Sequence, residues 1–225
     1  MVDLDRRTSL TRSQQDYLKA LYQLHGDQRP VPTGDLAQRL SISSPSVSEM
    51  VAKLSAQGLV EHDRYRGQQL TRDGRKVALE LVRHHRLLEM FLVQVLGYSW
   101  DEVHDEAERL EHVISERMEA RIFELLGRPE LDPHGHSIPT LAGRVRALSD
   151  RTLNDCGAGE RVVVQGVSDD DAGRLRELQR RGLVPGMQIE VLAESRFESP
   201  IDVRIKGRRL SVPLGLARAV FVEVK

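Results

Sequence analysis

Apolar residues recur at helical spacing through roughly the first two thirds of the chain and at strand spacing through the last third. Leu18 and Leu21 predict a helix that follows a capping residue, either Thr11 or Ser13. Further along, the apolar positions predict one long helix over 71–96 and another over 100–127, where proline is absent. The pattern therefore predicts a mainly α protein that ends in a small β domain.

Two short helices and a hairpin are predicted between the first helix and the long ones. Residues 33–40 and 44–57 are predicted to form a helix-turn-helix, and residues 59–71 two short strands around a basic turn, which is a wing. In this motif the second helix enters the major groove and wing arginines reach phosphates. The candidate DNA-contacting residues are Thr33, Ser44, Pro45, Ser46, Ser48, Glu49, Arg64 and Arg66. A winged helix used only for protein contacts is the alternative.

The last third carries five short strand-like runs, interrupted after the first run by a helix predicted at 169–182. Five strands in so short a stretch indicate a small antiparallel barrel of the SH3 type. Before it lie a proline-rich linker at 128–139, whose His134 and His136 we take as loop residues, and a short predicted helix at 140–149. We predict three domains: a winged helix-turn-helix at 1–75, a helical domain at 76–149 and the barrel at 159–225.

Composition narrows the classes of partner. The formal net charge is −1, so any contact with nucleic acid must come from a local basic patch. The single cysteine excludes an internal disulfide and a zinc site built from several thiolates. No apolar run approaches the ~20 residues of a membrane span, and no signal peptide opens the chain. We therefore expect a cytoplasmic protein with no membrane partner.

Two polar clusters interrupt the long predicted helices. On a helix, His104, Glu108, Glu111 and His112 crowd one arc, and like charges at this spacing repel unless a cation sits between them. A divalent metal is the simplest candidate, and a solvated face with arginine partners is the alternative. His85 and Glu89 lie one turn apart on the preceding helix and form a second cluster.

These motifs resemble those of a known family. The run Val103-His-Asp-Glu-Ala-Glu-Arg-Leu-Glu-His-Val113 is the most specific part, with His85-Arg-Leu-Leu-Glu89 before it and Pro133-His-Gly-His-Ser-Ile-Pro139 after it. The chain resembles the DtxR/MntR family of metal-dependent transcriptional regulators over nearly its whole length. The resemblance implies an N-terminal winged helix-turn-helix, a helical metal-binding and dimerisation domain, and a C-terminal SH3-like barrel.

The resemblance also implies the metal ligands. A principal site is implied for Asp16, Glu108, Glu111 and His112, and a second site for His85, Glu89 and His104. In manganese-type members the residue matching His85 joins the main cluster instead. Iron-type members have sulfur-containing residues where this chain has Asp16 and Glu108. Two carboxylates at those positions favour a hard cation such as Mn²⁺.

Three features depart from the family pattern. Lys19 stands where manganese-type members often have a glutamate, which argues against a two-metal cluster at the main site. In the barrel, Asp171 is a possible substitute for the glutamate that iron-type members lend to the second site, but Arg174 cannot bind a metal. Glu49 replaces a glutamine of the iron-type recognition helix, so the operator sequence cannot be transferred.

We therefore expect a manganese(II)-dependent repressor of metal homeostasis or transport genes, active as a homodimer on an inverted-repeat operator in double-stranded DNA. Fe²⁺ is the alternative metal, and Zn²⁺, Co²⁺, Ni²⁺ or Cd²⁺ are expected to substitute in vitro. A metal-independent winged-helix regulator is the other alternative. A helical metalloenzyme is disfavoured because Glu108 and His112 are four residues apart rather than three, and no small organic substrate is expected.

Overall fold

The computed structural model describes residues 5–63, 65–193 and 199–224. The chain divides into two compact units, and each is described by itself. The first unit comprises residues 1–84 and 139–144, and the second comprises residues 85–138 and 145–225. The boundary falls inside one continuous helix, so the three predicted domain boundaries stay a prediction.

The first unit is a winged helix-turn-helix, as predicted. Its elements are α1 (Asp5–Thr8), α2 (Arg12–Gln23), α3 (Thr33–Leu40), α4 (Ser44–Ala56), β1 (Val60–Asp63), β2 (Gly67–Leu70) and the first half of α5 (Arg72–Gln94). The antiparallel strands β1 and β2 pair from Val60 opposite Leu70 to Asp63 opposite Gly67. Leucines and valines of α2, α3, α4 and α5 close over one core, in which Leu18, Leu36 and Leu54 are fully buried.

Local signals set the ends of these helices. The side chain of Thr11 accepts the Gln14 N–H and the Gln14 side chain returns to the Thr11 N–H, which forms a capping box at the start of α2. Ser43 caps α4, and Pro45 occupies the first turn, where the N–H that proline lacks has no helical partner. The helix α4 therefore begins at a fixed residue.

Two glycines let backbone segments of this unit approach closely. A Cβ at Gly67, where φ is +108°, would lie 2.1 Å from the carbonyl oxygen of Val31, and a Cβ at Gly74 would lie 1.9 Å from that of Leu59. The contact at Gly67 holds the wing hairpin against the segment before α3, because Val31 also exchanges backbone hydrogen bonds with Gln68. Larger residues would push these segments apart.

The second unit begins with the C-terminal half of α5 and continues with α6 (Val103–Leu110) and α7 (Glu116–Leu125). The prediction of one helix over 100–127 is wrong. Ser115 has extended backbone and its side chain accepts the Met118 N–H, so it caps a new helix and ends any continuation of the previous one. The apolar faces of these helices pack together around Leu87, Leu88 and Val103.

The segment predicted as a short helix at 140–149 is also different in the structure. It contains a turn at Leu141–Ala142 and no helix. The Thr140 hydroxyl accepts the Arg144 N–H, and Gly143 has a φ of +73°, which is outside the helical region. The Thr140 side chain and the backbone conformation of Gly143 together favour a turn over a helix.

The C-terminal part of the second unit is the predicted SH3-like barrel. Its elements are a 3₁₀ turn at Leu153–Asp155, β3 (Arg161–Val167), α8 (Ala172–Arg181), β4 (Gln188–Ala193), β5 (Ile201–Ile205), β6 (Arg208–Val212), α9 (Leu214–Ala217) and β7 (Val220–Val224). The sheet is antiparallel with strand order β6-β5-β4-β3-β7. Alternate residues of each strand, such as Val162 and Val164, enter a core that also includes Leu175 and Leu178 of α8. Across the described residues, no helix has the length and apolar character of a membrane span.

Gly74→Ala should destabilise the protein, because the new methyl group meets a carbonyl oxygen of rigid backbone. We expect a loss of about 1–3 kcal/mol, seen as a lower midpoint in denaturant unfolding followed by circular dichroism. Gly34→Ala is the matched control. Gly34 lies in α3 with nothing within 4 Å of its hypothetical Cβ, so its replacement should be neutral or stabilising. Equal midpoints for the two variants would contradict the proposed close approach.

Candidate metal centre and nucleic-acid interface

Glu89 of α5 is a fully buried carboxylate surrounded by imidazoles. Its Oε1 lies 3.0 Å from Nε2 of His85 and 3.5 Å from Nδ1 of His104, and its Oε2 lies 3.7 Å from Nδ1 of His134. Burial by itself would raise the pKa of Glu89, but the neighbouring histidines outweigh it and hold the pKa well below its usual value. The carboxylate is therefore charged and depends on positive neighbours.

His85 connects the two predicted metal-binding sets. Its Nδ1 lies 2.5 Å from Oε2 of Glu111 and 3.6 Å from Oε2 of Glu108, while its Nε2 faces Glu89 and lies 3.1 Å from Nδ1 of His104. A neutral imidazole donates from only one nitrogen, so His85 can satisfy carboxylates on both sides only as an imidazolium. A divalent cation at either side can replace one of those protons.

A third group lies in the linker that follows α7. One ligand atom from each of Asp132, His134 and His136 lies within 4.8 Å of the others. Asp132 Oδ1 accepts the backbone N–H groups of His134 and His136, at 2.8 and 2.9 Å. Among the described residues, Asp132 Oδ2, Nδ1 of His136 and both ring nitrogens of His134 are buried without a hydrogen bond. Buried nitrogen and oxygen atoms without a hydrogen bond are what a metal-binding site without its ion would contain.

An acid of the barrel domain lies beside this group, and it is Asp169 rather than Asp171, which the sequence offered as a substitute ligand. Asp169 Oδ2 lies 3.5 Å from Nδ1 of His136. Burial would raise the pKa of Asp169, but His136 in particular outweighs it and lowers the pKa. The Asp171 side chain instead accepts the Arg174 N–H as the cap of α8, so it is committed to the helix end.

The implied ligands of the principal site are divided between the two units. Asp16 lies on α2 in the first unit. Glu108 lies on α6, Glu111 is the C-cap residue of that helix, and His112 follows it, all in the second unit. Nε2 of His112 is 3.6 Å from Oε1 of the fully buried Glu111. Together these groups are carboxylate oxygens and an imidazole nitrogen, a donor set that suits Mn²⁺, Fe²⁺ or Zn²⁺.

The predicted DNA-reading residues of α4 are exposed. Ser44, Pro45, Ser46, Ser48 and Glu49 all present their side chains at the surface of the first unit. The hydroxyl of Ser48 donates to the Ser44 carbonyl oxygen, and the hydroxyl groups of Ser43 and Ser46 share a hydrogen bond. The helix therefore offers small polar groups and one carboxylate at its N-terminal end.

The remaining predicted contacts lie beside α4. Thr33 begins α3, and its hydroxyl lies 3.3 Å from Oε1 of Gln68 in β2. At the wing tip, Arg66 is exposed, and the Asp63 carboxylate accepts the N–H groups of Tyr65 and Arg66. These backbone hydrogen bonds lower the pKa of Asp63 and fix the turn. Arg64 lies outside the described residues.

Comparison with known proteins identifies the scaffold. Residues 9–68 match the family model for the iron dependent repressor N-terminal DNA binding domain, and residues 71–140 match its metal binding and dimerisation domain. Residues 151–224 match the FeoA domain. The iron-dependent repressor IdeR of Mycobacterium leprae is 33% identical over 220 residues, which cover 92% of this chain and 95% of that protein. This chain belongs to the DtxR family of metal-dependent transcriptional repressors.

Further relatives of this DtxR-family repressor agree in fold and coverage. The diphtheria toxin repressor of Corynebacterium efficiens is 37% identical over 92% of this chain and 93% of its own. Among solved structures, a manganese-dependent transcriptional repressor in complex with manganese is 42% identical with a TM-score of 0.85, covering 94% of this chain and all of that one. ScaR with bound Zn²⁺ is 33% identical with a TM-score of 0.78, covering 94% of this chain and 99% of that one.

The family settles several expectations. This DtxR-family repressor is a metal-binding, DNA-binding homodimer and not an enzyme. The sequence pattern correctly found the winged helix, the barrel and a metal-binding helical region. It missed Asp132, His134, His136 and Asp169 as possible ligands, because they lie in loops whose burial depends on distant segments. The closely spaced histidines of a proline-rich loop were the available signal.

The imidazoles around Glu89 should make the stability of the metal-free repressor depend on pH. Burial alone would lower the pKa of His134 and His136, but Glu89 and Asp132 respectively outweigh it and raise both values. Groups with raised pKa stabilise the fold below their unfolded value, near 6.5, and lose that effect as the pH rises through the folded value. Glu89, with a lowered pKa, contributes above about pH 4.5 and loses its contribution at lower pH.

The metal-free protein should therefore become less stable as the pH rises above about 6.5, and Glu89→Gln should flatten this decline. The measurement is the midpoint of urea unfolding between pH 5 and 8.5 at constant ionic strength. Glu124→Gln, which changes an exposed acid on α7, serves as the control. The same slope for Glu89→Gln and the parent would show that Glu89 does not raise the pKa of His134.

Proposed function

We propose that this repressor is activated by Mn²⁺ and, as a homodimer, binds an inverted-repeat operator that controls metal homeostasis or transport genes. The observation that carries the proposal is the donor set. Asp16, Glu108, Glu111 and His112 offer three carboxylates and an imidazole, with no thiolate or thioether. Hard oxygen donors with some imidazole suit Mn²⁺, whereas sulfur ligands favour softer metals.

The relatives include both manganese-dependent and iron-dependent repressors. A structure named as a manganese-dependent repressor with manganese shares 42% of the sequence, whereas the mycobacterial iron-dependent repressor shares 33%. Fe²⁺ therefore stays the alternative physiological metal. Zn²⁺, Co²⁺, Ni²⁺ and Cd²⁺ bind such ligands at least as tightly in vitro as Mn²⁺ does, and ScaR structures hold Zn²⁺ and Cd²⁺. Selectivity then depends on geometry and on which metal the cell supplies.

The principal site would join the DNA-binding part of the chain to its dimerisation part. Asp16 belongs to the region matched by the DNA binding family model, whereas the other three ligands belong to the metal binding and dimerisation model. Without a cation the carboxylates repel one another, and with it they can be held together. The degree of activation depends on how much more tightly the metal binds the DNA-competent conformation than the other conformations of the protein.

A second ion would lie beside Glu89. The predicted ligands His85, Glu89 and His104 meet within hydrogen-bond or near hydrogen-bond distance. His134 approaches the other oxygen of Glu89, and Asp132, His136 and Asp169 extend the group into the linker and the barrel. The chemistry such an ion supplies is charge: it would neutralise the buried carboxylates in place of protons.

The homodimer should present two recognition helices to one operator. In a two-fold dimer these helices must lie about 34 Å apart to enter successive major grooves, so the operator should be an inverted repeat. Val113, Met118 and Leu125 near and along α7 are exposed apolar residues of the dimerisation region, and we assign them to the subunit interface. Because the partner is DNA, we place the protein in the cytoplasm.

Asp16→Ala should weaken activation by Mn²⁺. For the parent, saturating Mn²⁺ should tighten operator binding by some tens-fold, which corresponds to about 2–3 kcal/mol of coupling. The variant should lose most of this factor while its metal-free binding changes little. The measurement is a fluorescence anisotropy titration of operator DNA with and without Mn²⁺.

Asp73→Asn provides the control for Asp16→Ala, because Asp73 is a partly exposed acid at the start of α5. It should respond to Mn²⁺ like the parent. An Asp16→Ala protein that responds like the parent would contradict the joining role of Asp16. Operator binding by the parent that is unchanged by chelator would contradict metal activation and favour a metal-independent regulator.

His134→Ala should lower the Mn²⁺ stoichiometry by one ion per subunit, because it removes an imidazole from the second site. The measurement is equilibrium dialysis followed by metal analysis of the full chain. His25→Ala, which changes a histidine in the turn after α2, should leave the stoichiometry unchanged. If the His134→Ala protein binds as many ions as the parent, His134 is not a ligand.

A further inference from the structure

The recognition helix α4 carries a single acidic side chain, Glu49, among its 13 residues. The side chain is 72% exposed, and Oε1 lies 2.7 Å from the ammonium of Lys53 one turn later. Glu49 is the sixth residue of the helix, about 7.5 Å along the axis from Ser44. A carboxylate is therefore present in the half of the helix that faces base edges in this motif.

Glu49 lies at the centre of the outward face of α4. At about 100° per residue, Pro45, Glu49 and Ala52 fall within about 60° of one another. Val47 and Val51 lie on the opposite side and are buried in the core of the first unit. Ser46 and Lys53 are also exposed and lie within about 60° of Glu49 on this wheel, and Glu49 is the one carboxylate among these neighbours.

The chemistry of the carboxylate limits what it can recognise. An ionised carboxylate only accepts hydrogen bonds, and in the major groove the donors are the amino groups of cytosine and adenine. Adenine places the N7 acceptor beside its amino group, which repels a carboxylate, whereas cytosine does not. We propose that Glu49 reads a cytosine in each operator half-site by accepting a hydrogen bond from its N4 amino group.

Lys53 makes this contact possible next to a polyanion. The hydrogen bond from Lys53 lowers the pKa of Glu49, so the carboxylate stays ionised. The same ammonium balances the negative charge that Glu49 would otherwise bring close to the DNA phosphates. The competing interpretation is a solvated pair at i and i+4 that has no partner in DNA, and it makes a different prediction for the operator.

The inference rests on the proposed function, in which α4 enters the major groove. The experiment selects binding sites from a randomised DNA pool with the full-length homodimer and Mn²⁺, followed by sequencing. The parent is compared with Glu49→Gln, Glu49→Ala and the control Asp35→Asn, which removes an exposed acid from α3. Titrations of single-position operator variants then measure the preference at each position.

We expect the parent to prefer cytosine at one position of each half-site by about five- to tenfold. Glu49→Gln should prefer adenine there, since glutamine both donates to N7 and accepts from N6, and Glu49→Ala should lose the preference. The remaining positions should be unchanged, and Asp35→Asn should select the parental site.

If both Glu49 variants select the same base as the parent at every position, the inference is overturned and Glu49 is only a surface partner of Lys53. In that case the parent still selects a defined site, so the proposed function stands while the inference fails. If the parent selects no defined site with Mn²⁺ present, the proposed function fails and this inference fails with it.

Discussion

The buried negative charge of Glu89 is the constraint on which the metal-binding region depends. A fully buried carboxylate is tolerated only with positive neighbours, and here those neighbours are imidazoles from α5, α6 and the linker. Each imidazole can carry a proton, and in the proposed second site it would bind the metal ion instead. The same set of side chains therefore gives the protein a fold that can respond to a divalent cation.

His85 extends this dependence to the principal metal ligands. The two ring nitrogens of His85 face Glu89 on one side and Glu111 on the other. Protonation or metal binding at one nitrogen therefore changes whether the other nitrogen can donate a hydrogen bond to its carboxylate. The groups around Glu89 and around Glu111 are therefore coupled chemically within the second unit. Asp169 brings the barrel into the same network, which gives the FeoA domain a direct electrostatic link to the helical region.

Much of this architecture could be predicted from local sequence. Helical and strand periodicity gave the winged helix and the barrel, and the spacing of Glu108, Glu111 and His112 indicated a metal site. The break before α7 was not predicted, because the helical composition around Ser115 outweighed its capping signal. The contact of His134 with Glu89 and that of Asp169 with His136 were not predicted. Only tertiary packing brings loop residues together over such sequence separations.

Metal activation as proposed requires cations among these carboxylates and imidazoles. The most direct measurement is anomalous X-ray diffraction at the manganese absorption edge, from crystals of the full chain grown with Mn²⁺. We expect anomalous density beside Glu108, Glu111 and His112, with Asp16 as a further ligand, and a second peak beside Glu89. Well-ordered crystals with no anomalous density at either place, and with Asp16 directed into solvent, would contradict it.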